Sequence, residues 1–162
     1  MRGALCGHEL HQGEFVRKVL SMMALLASVS SASAGPKEEA YQVVENWGKA
    51  FTEADVDGIA KLYAPDASMI GTSGKAVLTN PEQIRDYFNL ALNTGKPRTA
   101  KLISSEAVVI DNTTVVIAGF DTITSVKDGQ PVVGMGRVTF VVARREANWM
   151  IVHLHRSPLP AT

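Results

Sequence analysis

Apolar positions recur with a helical period in the first half of this chain and alternate with period two in the second half. Tyr41, Val44, Trp47, Ala50 and Phe51 give residues 38–53 one apolar helical face. Gly35-Pro36 opens that helix, and Glu38 and Glu39 sit in its first turn, where the helix dipole favours acids. Ala54-Asp55-Val56-Asp57 breaks the pattern. Asp55 caps a short helix over residues 57–63, and Pro65-Asp66 ends it. A short strand over 67–70 and a loop with Gly71, Ser73 and Gly74 follow. Thr79 or Asn80 then caps a third helix with Pro81 at its first position. That helix buries Ile84, Tyr87, Phe88 and Leu92 and stops near Gly95.

Four long strands complete the chain, over residues 98–110, 113–126, 131–145 and 148–157. Their connections, Asp111-Asn112, Lys127-Asp128-Gly129-Gln130 and Glu146-Ala147, are short enough for hairpins. Three helices followed by an antiparallel meander make an α+β fold. A long sheet curved over helices forms a cone with a pocket in its mouth.

The last hairpin can be registered. With Glu146-Ala147 as a two-residue turn, Val141 faces Val152, Thr139 faces Leu154 and Arg137 faces Arg156. One sheet face then carries Arg137, Thr139, Val141, Leu154 and Arg156. The other carries Val138, Phe140, Val142, Ile151, His153 and His155. Both are largely apolar, so helices are expected on one and a second copy of the chain, through Phe140, His153 and His155, on the other. Two opposed arginines are destabilising unless an anion lies between them. That anion is a ligand carboxylate or phosphate held by guanidinium forks, or it is Asp121. Asp121 comes near Arg137 if the preceding loop has three residues and falls one position off if it has two or four. Asp121 is the only acid in its apolar strand region, so it is also the candidate general base. A structural Asp–Arg pair, with the other arginine reaching to the rim, is the competing expectation. Trp47 and Tyr63 lie on helix faces under the sheet, as core or as ligand platforms.

The first 34 residues read as a leader. Arg17-Lys18 is a basic start, 19–29 an apolar run, and Ala32-Ser33-Ala34 a cleavage site, with cleavage expected after Ala34. Glu9 and Glu14 are unusual there and fit a true start near Val16. The expected mature domain, 35–162, is periplasmic or secreted. Removing the leader takes Arg2, Arg17, Lys18, Glu9 and Glu14 from 16 basic and 16 acidic residues, so the remainder is nearly balanced. That gives no general attraction to nucleic acid or to an anionic membrane. The one cysteine, Cys6, lies in the leader, so the domain has no disulfide or cysteine metal site. His8 and His11 also leave, and no third ligand joins His153 and His155, so no metal and no cofactor are expected.

The residues Arg137-Val138-Thr139-Phe140 and Asn148-Trp149-Met150-Ile151-Val152-His153-Leu154-His155-Arg156-Ser157 resemble the end of the association (hub) domain of calcium/calmodulin-dependent protein kinase II. Trp47 and Phe51, Asp57-Gly58-Ile59, Leu62-Tyr63, Pro65-Asp66-Ala67 and Tyr87-Phe88 widen the resemblance to the NTF2-like superfamily (SnoaL-like, cystatin-like), including stand-alone bacterial SgcJ/EcaC-type members. The resemblance implies a cone that dimerises through its sheet, sometimes into rings, with pocket arginines at Arg137 and Arg156 for a small carboxylate or polar ligand. Two positions depart from the hub: a third pocket arginine is Asp121 here, and a pocket histidine is Ile84. Against the related ketosteroid isomerase, the catalytic tyrosine position is Trp47 and the general base falls on Gly71, which argues against that chemistry. Nothing matches a kinase domain. The expected function is an exported, homo-oligomeric, non-enzymatic binding or assembly module. The alternative is a cofactor-independent SnoaL-type enzyme with Asp121 as base and Arg137 or His155 as electrostatic partner. A purely structural hub is the third possibility.

Overall fold

The computed structural model describes residues 34–93 and 98–160. The expected leader lies outside them, apart from Ala34. No described helix is long and apolar enough to cross a membrane.

Helix α1, Pro36–Glu53, buries Ala40, Val43, Val44, Trp47, Ala50 and Phe51 along one stripe. It ends at Ala54, in the left-handed conformation at φ 56°. Asp55 caps helix α2, Val56–Lys61, by accepting the Gly58 N–H at 2.8 Å. Asn80, rather than Thr79, caps helix α3, Pro81–Asn93: its Oδ1 accepts the Gln83 N–H at 3.0 Å, while Gln83 Oε1 accepts the Thr79 N–H at 3.0 Å. Ile84, Phe88 and Leu92, four apart, are the buried face of α3.

Five strands form one open, curved sheet in the order β1-β5-β4-β3-β2. They are β1 Tyr63–Ile70, β2 Thr99–Asp111, β3 Thr114–Lys127, β4 Gln130–Arg145 and β5 Asn148–Pro158. β2 to β5 make the expected antiparallel meander, and β1 lies parallel to β5. Two boundaries move. α2 stops at Lys61, and Tyr63 is already in β1. Pro65-Asp66 does not end a helix but lies where the β1–β5 register shifts, between Tyr63 and Ser68. An edge strand tolerates a proline there because no ladder hydrogen bond is lost. Asp66 binds Arg145 at 2.9 Å, which ties β1 to the last hairpin. The β3–β4 connection tightens to a two-residue turn, with Asp128 at φ 52° and Gly129 at φ 74°. Paired positive φ angles match the twist of a hairpin.

The largest correction concerns β5. Pairing runs as expected from Arg145–Asn148 to Val142–Ile151, but Val141 then faces His153, because Val152 is the extra residue of a β-bulge. A slip of one residue exchanges the faces of everything beyond it. Leu154 and Arg156 therefore join Val138, Phe140, Val142 and Ile151 beneath the helices. His153 and His155 fall beside Val141 and Thr139 on the open face. Phe140 is not a surface contact: it is 2% exposed, and its ring meets Trp47 edge-on at 5.4 Å. Trp47 also packs on Phe51 at 5.3 Å and Phe88 at 5.9 Å, so one aromatic cluster joins α1 and α3 to the sheet.

Candidate functional site

Asp121 sits on the helix-covered face of β3, opposite Gly136 of β4. Arg156 of β5 comes to it across that glycine. Its Nε lies 2.7 Å from Asp121 Oδ2 and 3.0 Å from Oδ1. A Cβ on Gly136 would stand 2.5 Å from Arg156 Nη2 and 2.7 Å from Asp121 Oδ1, so the pair needs glycine there. Arg156 Nη1 donates to Thr72 Oγ1 at 2.7 Å and Nη2 to the Gly134 carbonyl at 3.4 Å. Asp121 is 4% exposed and Arg156 8%. Taking two charges out of water is costly, and only close pairing with further hydrogen bonds offsets it. Each guanidinium nitrogen here has one partner. Of the five N–H groups of an arginine, up to two remain to meet a ligand.

A cavity of about 650 Å³ opens between the helices and this face. That is the size of a small-molecule site. Trp47, Phe51, Met69, Phe88, Val138 and Leu154 supply its apolar wall. Thr72, Ser73, Tyr87, Ser125, Arg98 and Arg156 supply the polar groups. Gly71 lets the Tyr87 ring lie against the backbone, where a Cβ would overlap it. Arg98 lies one residue before β2. Its Nε is buried and has no hydrogen-bond partner among the described residues.

The predicted site residues separate. Asp121 and Arg156 meet, but Arg137 stands apart. It pairs with Ser157 rather than Arg156, and it is exposed on the open face, with Nη2 3.5 Å from the Pro158 carbonyl. The two-residue β3–β4 turn leaves Asp121 one position off Arg137 and gives it to Arg156. Asp121 does not line the large cavity. Trp47 does, while Tyr63 lies behind it. Trp47 Nε1–H donates to Tyr63 Oη at 3.2 Å, and that hydroxyl donates to Met69 Sδ at 3.8 Å. Burial pushes the Tyr63 phenol well above its ordinary range, so it stays neutral. His153 Nδ1 is 2.8 Å from Ser68 Oγ on the open face. Burial first, and the charge of His155 second, hold the His153 imidazole below its ordinary value. Ile84 is fully buried in the core. Among the described residues, no three His, Cys, Asp or Glu side chains converge as for a metal.

Thr72 and Arg98 were not singled out from the sequence, and Tyr87 was read there only as a buried helix position and part of the resemblance. Gly134 and Gly136 were the available signal for this region: glycine within a long strand marks a close approach, here of the Arg156 side chain.

The family model for the SnoaL-like domain matches residues 41–162. A solved structure from Xanthomonas campestris, provisionally named a calcium/calmodulin-dependent protein kinase II association domain, is 28% identical with TM-score 0.71. The match covers 80% of this chain and 95% of that one. A cystatin-like protein from Caulobacter vibrioides is 21% identical with TM-score 0.67, over 78% and 92% of the two chains. A protein of the NTF2-like family from Streptomyces avermitilis, provisionally named a dehydratase, is 17% identical with TM-score 0.68, over 76% and 96%. No curated protein matches the chain.

Proposed function

For a chain that belongs to the SnoaL-like domain family, a fold that does not itself specify chemistry, we propose a non-enzymatic role: binding a small, largely apolar organic molecule in the cavity between helices and sheet. One observation carries this. Asp121, the candidate base, has both oxygens on the Arg156 guanidinium and does not line the large cavity. A general base must come within hydrogen-bond reach of the proton it takes. The Asp121–Arg156 pair holds Thr72 and the end of β5 in place, and it offers the remaining Arg156 N–H groups to an acceptor on the ligand.

The domain self-associates through the open sheet face. Phe120 and Met135 are 44% and 48% exposed there, with Val141, Thr139, His153 and His155 alongside. The face carries both signs, with Glu106 beside Ala118 and Arg137 beside Phe120. A two-fold contact between like patches brings one copy's acids toward the other's cations. Export and removal of residues 1–34 would deliver the domain to the periplasm or medium. An intact leader on protein recovered outside the cytoplasm contradicts that part.

Thermal unfolding with a panel of small aromatic and aliphatic alcohols, amides and carboxylates tests the cavity. A ligand at a hundred times its Kd adds about 2.7 kcal/mol. No shift with any compound contradicts binding. Turnover of a compound that is lost in Asp121→Asn restores the enzyme alternative, which the Streptomyces avermitilis protein's provisional name would then support. Light scattering should give a dimer or larger for the wild type and a monomer for Phe120→Glu.

A further inference from the structure

Resting on that cavity, we infer that its ligand is an amphipathic organic anion and that Arg98, rather than Arg137 or Arg156, anchors the charged end. Two cations among the described residues line the cavity, and they differ in what opposes them. Arg156 is neutralised at close range by Asp121. Arg98 forms no ion pair with a described acid, and its buried Nε has no partner among the described residues. No aspartate or glutamate is among the described residues lining the cavity. The described lining side chains therefore leave one guanidinium charge unopposed.

A buried donor without an acceptor bears its desolvation penalty uncompensated. A carboxylate in the cavity opposes the Arg98 charge with charge-assisted hydrogen bonds to the guanidinium, about twice as strong as neutral ones. An alcohol or amide provides an acceptor without the charge. The topology separates the two arginines. Arg98 adjoins Thr99, which pairs with Thr124, next to the cavity-lining Ser125. Asp121 pairs with Leu102, four residues further along β2, about 13 Å at strand rise. Ile123 lies between these positions on the cavity wall, with Val138 and Leu154 beyond it on β4 and β5. The anionic end thus belongs at the start of β2, and the apolar body runs over these side chains toward Arg156.

The test compares 4-phenylbutyrate with 4-phenylbutanol by titration calorimetry on the purified chain. The carboxylate is expected to bind about tenfold to a hundredfold more tightly. Arg98→Met should abolish that preference, weakening the carboxylate far more than the alcohol, and leave the far-ultraviolet spectrum unchanged. Arg137→Met should keep the preference. Equal binding of both probes by the wild type, or a preference that survives Arg98→Met, overturns the assignment to Arg98 while leaving the cavity reading intact. Binding of neither probe overturns both.

Discussion

Arg137, midway along β4, and Arg156, near the end of β5, lie one register position apart, yet the fold treats them oppositely. Arg156 is 8% exposed, with an acid, a threonine hydroxyl and a carbonyl around it. Arg137 is exposed, with a single 3.5 Å contact to a carbonyl. The difference is one residue, Val152, inserted at a β-bulge between them and the turn. Without a register shift the two would share a face, as simple hairpin counting expects. With it, one becomes part of a buried network and the other a surface charge. The same contrast runs over the whole sheet. The helix-covered face holds the aromatic cluster, the cavity and the ion pair, and the open face holds the histidines and the exposed Phe120 and Met135.

The contrast is broken most severely by attacking the buried pair. Asp121→Ala leaves the Arg156 guanidinium buried without its counterion, and it should cost about 3–5 kcal/mol in urea unfolding. Arg137→Ala should stay within about 0.5 kcal/mol. Similar losses in the two variants would mean that the arginines are not distinguished as described. Phe140→Ala tests the same division in the core. A loss of about 3–5 kcal/mol, independent of protein concentration, is expected of a buried ring. A small loss that appears only on dilution would return Phe140 to an interface. Gly136→Ala should cost about 1–3 kcal/mol, because its Cβ would press on both partners. Gly134→Ala should cost much less, since the added Cβ would lie 3.7 Å from the nearest atom, the Ile123 carbonyl oxygen.

The smallest effect lies on the open face. The His153 imidazole is held below its ordinary value, chiefly by burial. Between its folded and unfolded values the unfolded chain binds more protons, so stability rises with pH through that window. Its contribution should be complete above about pH 6.5 and decline as the pH falls toward the folded value. His153→Gln should flatten the urea midpoint between pH 8 and 5. An unchanged slope would remove His153 as its source.

Much of this architecture could be read from the sequence because local signals agreed with the fold. Asp55 at a cap, Asp128-Gly129 at a turn and the alternation of β2 to β5 each act over a few residues. The bulge could not be read. Ile151-Val152-His153-Leu154-His155 offers apolar residues to both faces, so no alternation marks the extra one. The tertiary demand to bury Leu154 beside Phe140, and Arg156 beside Asp121, selects the shifted register. Arg98 follows Gly95-Lys96-Pro97, which looks like an ordinary solvated connection. Only the packing of β2 against β3 brings it to the cavity. The site was therefore half visible: Asp121 was recognised as a possible counterion and Arg156 as a candidate, but the unshifted register set Arg137 opposite Arg156.

The chain has two tryptophans, and they divide the molecule usefully. Trp47 lines the cavity, whereas Trp149 lies near the β4–β5 turn with the Arg144 guanidinium 5.5 Å from its ring centroid. A nitrogen–proton correlation spectrum recorded while 4-phenylbutyrate is added reports on both indoles at once. Binding beneath the helices should move the Trp47 indole resonance saturably and leave Trp149 in place. A saturable shift of Trp149 alone, or of neither indole, would contradict the cavity as the site of function.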